Sequence, residues 1–249
     1  YNFESKASGL KLDVSLSYHA GGVKVGEIGS NVGIGWALNA GGVVSRTMRG
    51  VPDEVTHGYI KEPAVTSSLA DGNTPSETMF RPYNKVYYNT IDAQPDIFNF
   101  NVNDKSGSFM YGKNNDFLML TMQKIKVEKV LEPLSTIYAP DSVITKFILT
   151  DENGTKYFFE SYEITSNYAL QSSPGRDYLS SWYLTKQLAA NNLDSIIYTY
   201  EDYSLPMYVA SKSNSIMEGV PDNGGSSHKE SNGEQIMSLK GKRIKAIVL

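Results

Sequence analysis

Apolar and polar residues alternate along most of this chain, the period-2 signature of strands with one buried face. Leu12, Val14, Leu16 and Tyr18 fall on one side of such a segment, and Asp13, Ser15, Ser17 and His19 on the other. The same rhythm predicts strands over 10–18, 23–25, 34–38, 43–48, 97–102, 108–111, 117–121 and 125–130. It resumes over 146–150, 155–159, 182–188 and 195–200, with further strands expected at 208–216, 236–239 and 244–249. Turn signals recur about every 8–12 residues, which points to antiparallel connections. The predicted fold class is all-β, mostly antiparallel sheets arranged as a sandwich or an open shell.

Several stretches punctuate that rhythm. Asn153-Gly154, within Asp151-Glu152-Asn153-Gly154, is the strongest hairpin signal, because both residues accept the positive φ that matches strand twist. Asn103 to Gly107 reads as a second tight turn. Pro52-Asp53-Glu54 suits a first helical turn, where acidic side chains meet the positive end of the helix dipole, so one or two short helices are expected within 53–92. Residues 60–92 read as an insertion, and 218–233, rich in Gly, Ser, Asn and Asp, as a mobile loop. The whole of 1–249 reads as a single β-rich module, a fragment of a longer chain, since the strand pattern at 244–249 stops in mid-flow.

Composition narrows the possibilities. Hydrophobic residues make up 40% of the 249, enough for a core and too many for a disordered chain. The 17 tyrosines suit strands with one dry and one wet face. A net charge of −4, with acids and lysines interspersed, argues against nucleic acid as a partner. Absence of cysteine excludes disulfides, thiolate zinc sites and thiol nucleophiles. No apolar run approaches the roughly 20 residues of a transmembrane helix.

Candidate chemistry is sparse. His19, His57 and His228 are far apart and lack metal-ligand spacing. The glycine loop from Gly21-Gly22 to Gly35 holds neither G-x-G-x-x-G nor a Walker pattern, so its glycines read as sheet corners and close backbone approaches. Trp36 and Trp182 are expected to anchor the core. Asp92…Asp96 and Asp151-Glu152-Asn153 offer oxygens to a calcium ion, but neither matches a calcium loop. Solvated turns account for the first and hairpin chemistry for the second. No nucleophile elbow is present, and among 27 acids some carboxylate pair is inevitable. No catalytic residue, cofactor or metal site is expected. Tyr83, Tyr87, Tyr88 and Tyr200 are the tyrosines placed either to face a ligand, such as a sugar, or to pack across strands.

The motifs resemble a known family. Ser15–Tyr18 (SLSY), Gly21-Gly22, Gly33–Leu38 (GIGWAL) and Val43–Arg46 follow an N-terminal pattern of bacterial RHS/YD-repeat proteins of the Bacteroidetes type. That group is related to Salmonella virulence plasmid B-type and insecticidal toxin-complex B components. Pro95-Asp96-Ile97-Phe98-Asn99-Phe100, Ser106-Gly107-Ser108-Phe109, residues 147–159, Ser180-Ser181-Trp182-Tyr183-Leu184 and residues 196–200 are similar to later stretches of it. The likeness spans most of the chain, with gaps at about 60–92 and 203–235. It implies structural motif residues at Tyr18, Gly21, Gly22, Gly33, Gly35, Trp36, Arg46, Asp96, Gly107, Asn153, Gly154 and Trp182. It also implies a non-enzymatic scaffold or shell, often enclosing a toxin, in an exported protein that is extracellular or on the cell surface. The partners so implied are downstream repeats of the same chain, with other cell-surface proteins or glycans as further contacts. A surface adhesin or glycan-binding module is the second reading, and a glycoside-active enzyme the third.

Overall fold

The structure, a computed structural model, describes residues 1–21, 30, 32–61, 92–112, 115–134, 137–169, 173–217 and 227–249. Over 137–140, 166–169, 173–176, 205–217 and 227–240 it describes the backbone alone. The first strands are β1 (Asn2–Glu4), β2 (Lys11–Asp13), β3 (Ser15–Tyr18), β4 (Trp36–Asn39) and β5 (Gly42–Thr47). Then come β6 (Ile97–Val102), β7 (Lys105–Tyr111), β8 (Phe117–Met119) and β9 (Lys126–Leu134). The long strands are β10 (Ile137–Thr150), β11 (Lys156–Ala169), β12 (Ser173–Leu188), β13 (Ser195–Met217) and β14 (Ser227–Val248). Among the described residues there is no helix, and the fold is nearly all β and antiparallel, as the alternation predicts.

β1 pairs with β2 and β3 with β4, and ten strands join in the order β8-β7-β6-β5-β12-β13-β14-β11-β10-β9. β11 also pairs with β12 along its length. The pairings β11–β12, β12–β13, β13–β14 and β14–β11 therefore close a circuit, and the sheet curls into a half-barrel. Bulges supply curvature, because an extra residue in one strand bends it and tightens its twist. Thr185 and Ser180 are such extra residues in β12, where the register steps from Lys186 to Leu184 and from Ser181 to Leu179. Each one re-phases the strand. The buried positions consequently run Leu179, Trp182, Leu184 and Gln187 instead of every second residue.

The core lies on one face of this sheet. Phe98, Phe109, Phe147, Phe159, Trp182 and Leu184 are fully buried in it. Phe98 lies 5.3 Å from Phe109 and from Phe147, and Phe147 meets Trp182 edge-on at 4.9 Å and 87°. Such edge and offset contacts add about 0.5–1.5 kcal/mol per pair beyond area burial. The segment after β5 brings Val55 into the same cluster, with Tyr59 and Ile60 packed against it.

Four local expectations are corrected. Residues 53–61 are successive tight turns, not a helix: Val55 N donates to Pro52 O, Gly58 N to Val55 O and Lys61 N to Gly58 O. Their acids point into the core, where Arg46 holds Glu54 and the Asp96 amide holds Asp53. Residues 227–233, expected within a loop, continue β14 opposite β13, because a backbone ladder needs no apolar side chain. The hairpin after β10 closes with Gly154 N on Asp151 O, and of its residues only Gly154 has positive φ (86°). Asp151 Oδ1 accepts from the Asn153 and Thr155 amides, so the aspartate fixes this turn as much as the Asn-Gly pair does. Gly107 sits inside β7 opposite Phe100, and Asn103-Asp104 alone form the turn. A Cβ on Gly107 would lie 2.8 Å from the Phe100 ring, so the glycine serves close approach. The remaining insertion residues, 62–91, and the loop residues 218–226 lie outside the described residues.

Candidate functional site

Val44 and Arg46 share a face of β5, two residues apart, so the strand that buries one buries the other. Val44 is fully buried and the Arg46 side chain is 1% exposed. A guanidinium there demands partners, since an unpaired buried charge costs several kcal/mol (about 3–5). Its Nη2 donates to Glu54 Oε2 at 2.6 Å, and its Nε lies 3.3 Å from Asp96 Oδ2 as an ion pair without hydrogen-bond alignment. The planar group also stacks over Phe98 (4.9 Å) and Trp182 (5.4 Å), adding cation–π attraction to the charge pairing. Burial works against the Arg46 charge, but Glu54 and then Asp96 outweigh it and its pKa is raised.

Each carboxylate in turn binds backbone. Glu54 Oε1 accepts from the Ile144 amide of β10 (3.2 Å), and Asp96 Oδ1 from the Arg49 amide (2.7 Å). Asp53 Oδ2 accepts from the Asp96 amide at 2.9 Å. Asp92 receives the Val51 and Gln94 amides and passes its own amide to His57 O. The result is one polar hub linking β5, the turns after it, the entry to β6, and β10.

The hub is over-supplied with acid. Oxygens of Asp53, Asp92 and Asp96 lie within 4.8 Å of one another. Asp53 and Asp96 are fully buried, and Asp53 Oδ1 and Asp96 Oδ2 accept no hydrogen bond. Burial, with the Asp96 charge added, pushes the Asp53 carboxyl up to about 8, against the pull of the Asp96 amide and Arg46. Burial pushes Asp96 up to about 6, opposed by Arg46 and the Arg49 amide. Burial also raises Asp92. A glycosidase needs two carboxyls flanking a sugar in an open cleft, about 5–10 Å apart. These are closer and buried, a geometry suited to sharing a proton or a cation.

A separate cleft of about 600 Å³ lies where the β3–β4 hairpin faces β5, β13 and β14. Asp13, Asn39, Asn101, Asn103, Tyr183 and Tyr200 contribute to its lining. Most of its chemistry is already engaged. Tyr200 Oη donates to Leu184 O (2.7 Å), Tyr183 Oη donates to Glu163 Oε2 (2.6 Å), Arg243 pairs with Glu201 and Lys242 with Asp202. Burial raises the pKa of both tyrosines, so neither hydroxyl is a base near neutrality.

The expected motif residues scatter across these places. Arg46, Asp96 and Trp182 come together in the hub. Tyr18 and Trp36, opposite each other on β3 and β4, form instead an exposed pair with rings 5.0 Å apart. Trp36 is 42% exposed, which corrects its expected place in the core. A two-stranded hairpin has no second layer to bury it. Gly33 and Gly35 adopt positive φ (122° and 75°) on the way into β4, and Gly21 packs on the His19 ring. Asp96 and Asp92, expected in a solvated turn, are fully and half buried respectively. Gly22, Tyr83, Tyr87 and Tyr88 lie outside the described residues. Sequence reasoning missed Asp53 and Glu54. The available signal was Arg46 itself, a cation on the apolar face of a strand.

Among the described residues no helix is long and apolar enough to cross a membrane. Comparisons with models of known families, with curated proteins and with solved structures give no match for this chain.

Proposed function

We propose that this chain is a non-enzymatic structural module of a secreted or surface protein of the RHS/YD-repeat kind, contributing curled β-sheet to a larger scaffold or shell. The observation that carries this reading is how the polar groups are used. In the hub and the cleft alike, most side chains that could do chemistry are engaged with other parts of the fold. Strand pairing and burial, not bond-making, account for what the residues do. Downstream segments of the same polypeptide are the expected partners, and the exposed face of β3–β4 is the surface offered to them. Leu16, Tyr18, Trp36 and Leu38 share that face, as cross-strand pairs Leu16–Leu38 and Tyr18–Trp36. Photo-crosslinking from position 16 or 38 in the native full-length polypeptide tests this. Crosslinks to other segments of that polypeptide are expected, and their absence overturns the reading.

The glycan-binding alternative rests on one observation, the grouping of Tyr183 and Tyr200 with Asn39, Asn101 and Asn103 in the cleft. Rings and amides are the usual furniture of a sugar site. Glycan-array binding that disappears in Asn39→Ala, an exposed lining residue, with the melting curve intact, would replace the scaffold reading with this one.

A further inference from the structure

We propose that Asp53, Asp92 and Asp96 form a calcium site that fastens the turns after β5 to the entry of β6. This goes beyond the scaffold reading and stands independently of it. Three carboxylates from two stretches of chain, 53 and 92–96, converge with oxygens within 4.8 Å of one another. Calcium holds oxygens at about 2.3–2.6 Å, so oxygens on opposite sides of the ion stand up to about 5 Å apart, whereas magnesium at about 2.0–2.1 Å draws them to about 4 Å. Oxygens within 4.8 Å of one another can all reach a single calcium ion.

The independent pointer to a ligand is the state of the buried oxygens. Asp53 is fully buried, yet its Oδ1 accepts no hydrogen bond, and Asp96 Oδ2, equally buried, has only the unaligned ion pair with Arg46 Nε. Native proteins leave few such atoms unsatisfied, and Asp53 Oδ1 calls for a missing proton, water or ion. Arg46 offsets only part of the charge. With Glu54 included, four carboxylates outnumber the two cations within reach, Arg46 and, at longer range, Lys129, so a divalent cation still meets a net negative cage. Asp92 is half buried and gives the ion a way in. Gly50, at φ 94°, lets the backbone pass so close to Asp92 that an added Cβ would lie 2.6 Å from its Oδ2. That contact seats the third carboxylate.

The test uses the intact protein stripped with EDTA and titrated with calcium chloride, read by calorimetry and by melting temperature. One calcium per chain is expected. Melting temperature should rise by about 5–10 °C when calcium stands about 100-fold above its Kd. Asp53→Asn should abolish the rise and Asp92→Asn should shrink it, while magnesium gives little. Should Asp53→Asn fail to fold, Asp92→Asn, at the half-buried position, decides. No response up to about 10 mM calcium, the range that saturates weak extracellular sites, would sink the proposal. A response that survives both substitutions, or an equal response to magnesium, would sink it too.

Discussion

The two tryptophans of this chain sit in opposite surroundings. Trp182 has no solvent exposure, donates its indole N–H to Ile144 O at 2.9 Å, and lies under Arg46 and against Phe147. Trp36 is 42% exposed and touches Tyr18 across a two-stranded hairpin. Both occur in strands with similar local alternation. The difference lies in what the sheet provides. β12 is flanked by β11 on one edge and by β5 and β13 on the other, with a covered face, whereas among the described residues β4 pairs only with β3. A side chain's role is set by the layer behind its strand.

Truncating the two rings measures that difference. Trp182→Ala should destabilise the protein by about 3–5 kcal/mol, the usual cost of an aromatic-to-alanine change in a core. It also strands Ile144 O and uncovers Arg46. Urea unfolding of the two proteins, compared at equal m, gives the number. A loss below about 1 kcal/mol would mean that the aromatic cluster does not anchor the sheet.

Arg46→Met, of similar size, should follow closely, costing roughly 3–5 kcal/mol because it leaves Glu54 and Asp96 buried without their cation. Adding Glu54→Gln should return part of the loss, since the second change removes the charge left unpaired. A double variant as unstable as the sum of the singles would show that the two residues do not act as a pair.

How much of this was readable beforehand follows the range of the interactions. Strands such as β6 and β7 were visible because alternation is local, and Phe98, Phe100 and Phe109 carry it. The re-phasing of β12 was not, because a bulge at Thr185 depends on what β11 does opposite it. The length of β13 and β14 was hidden too, since their outer halves are held by backbone pairing over side chains of mixed polarity. In the hub, Arg46 and Asp96 stood out through their motifs, but Asp53 and Glu54 looked like helix-start acids. Only the fold brings residues 53 and 96 together, and no spacing rule covers so long a separation.

The hub should also make stability fall with rising pH in metal-free buffer. Asp53 and Asp96 have raised pKa values in the folded state, about 8 and about 6, against about 3.9 for an unfolded aspartate. The folded protein thus holds protons that the unfolded chain has released. Its stability from these groups is full below pH 4 and declines as pH climbs toward 8. Asp53→Asn removes the largest contributor, so its curve should be flatter between pH 5 and 8. Melting temperatures in EDTA across that window check this, and parallel curves for the two proteins would contradict it.

The smallest effect is expected at the hairpin. Trp36→Ala removes a ring that packs against Tyr18, and cross-strand pairs of this kind are worth about 0.2–1 kcal/mol. Little cavity forms, because solvent already reaches 42% of the residue. Urea midpoints should therefore shift slightly, in sharp contrast to Trp182→Ala. A loss of several kcal/mol would place the hairpin within the folded core and remove it as a surface open to partners. A small loss has the opposite meaning: the four apolar side chains Leu16, Tyr18, Trp36 and Leu38 then contribute little to holding this fold together. Keeping such a cluster in water offers the isolated fold no advantage. On the scaffold reading proposed above, a contact that covers it supplies the physical reason for it to exist.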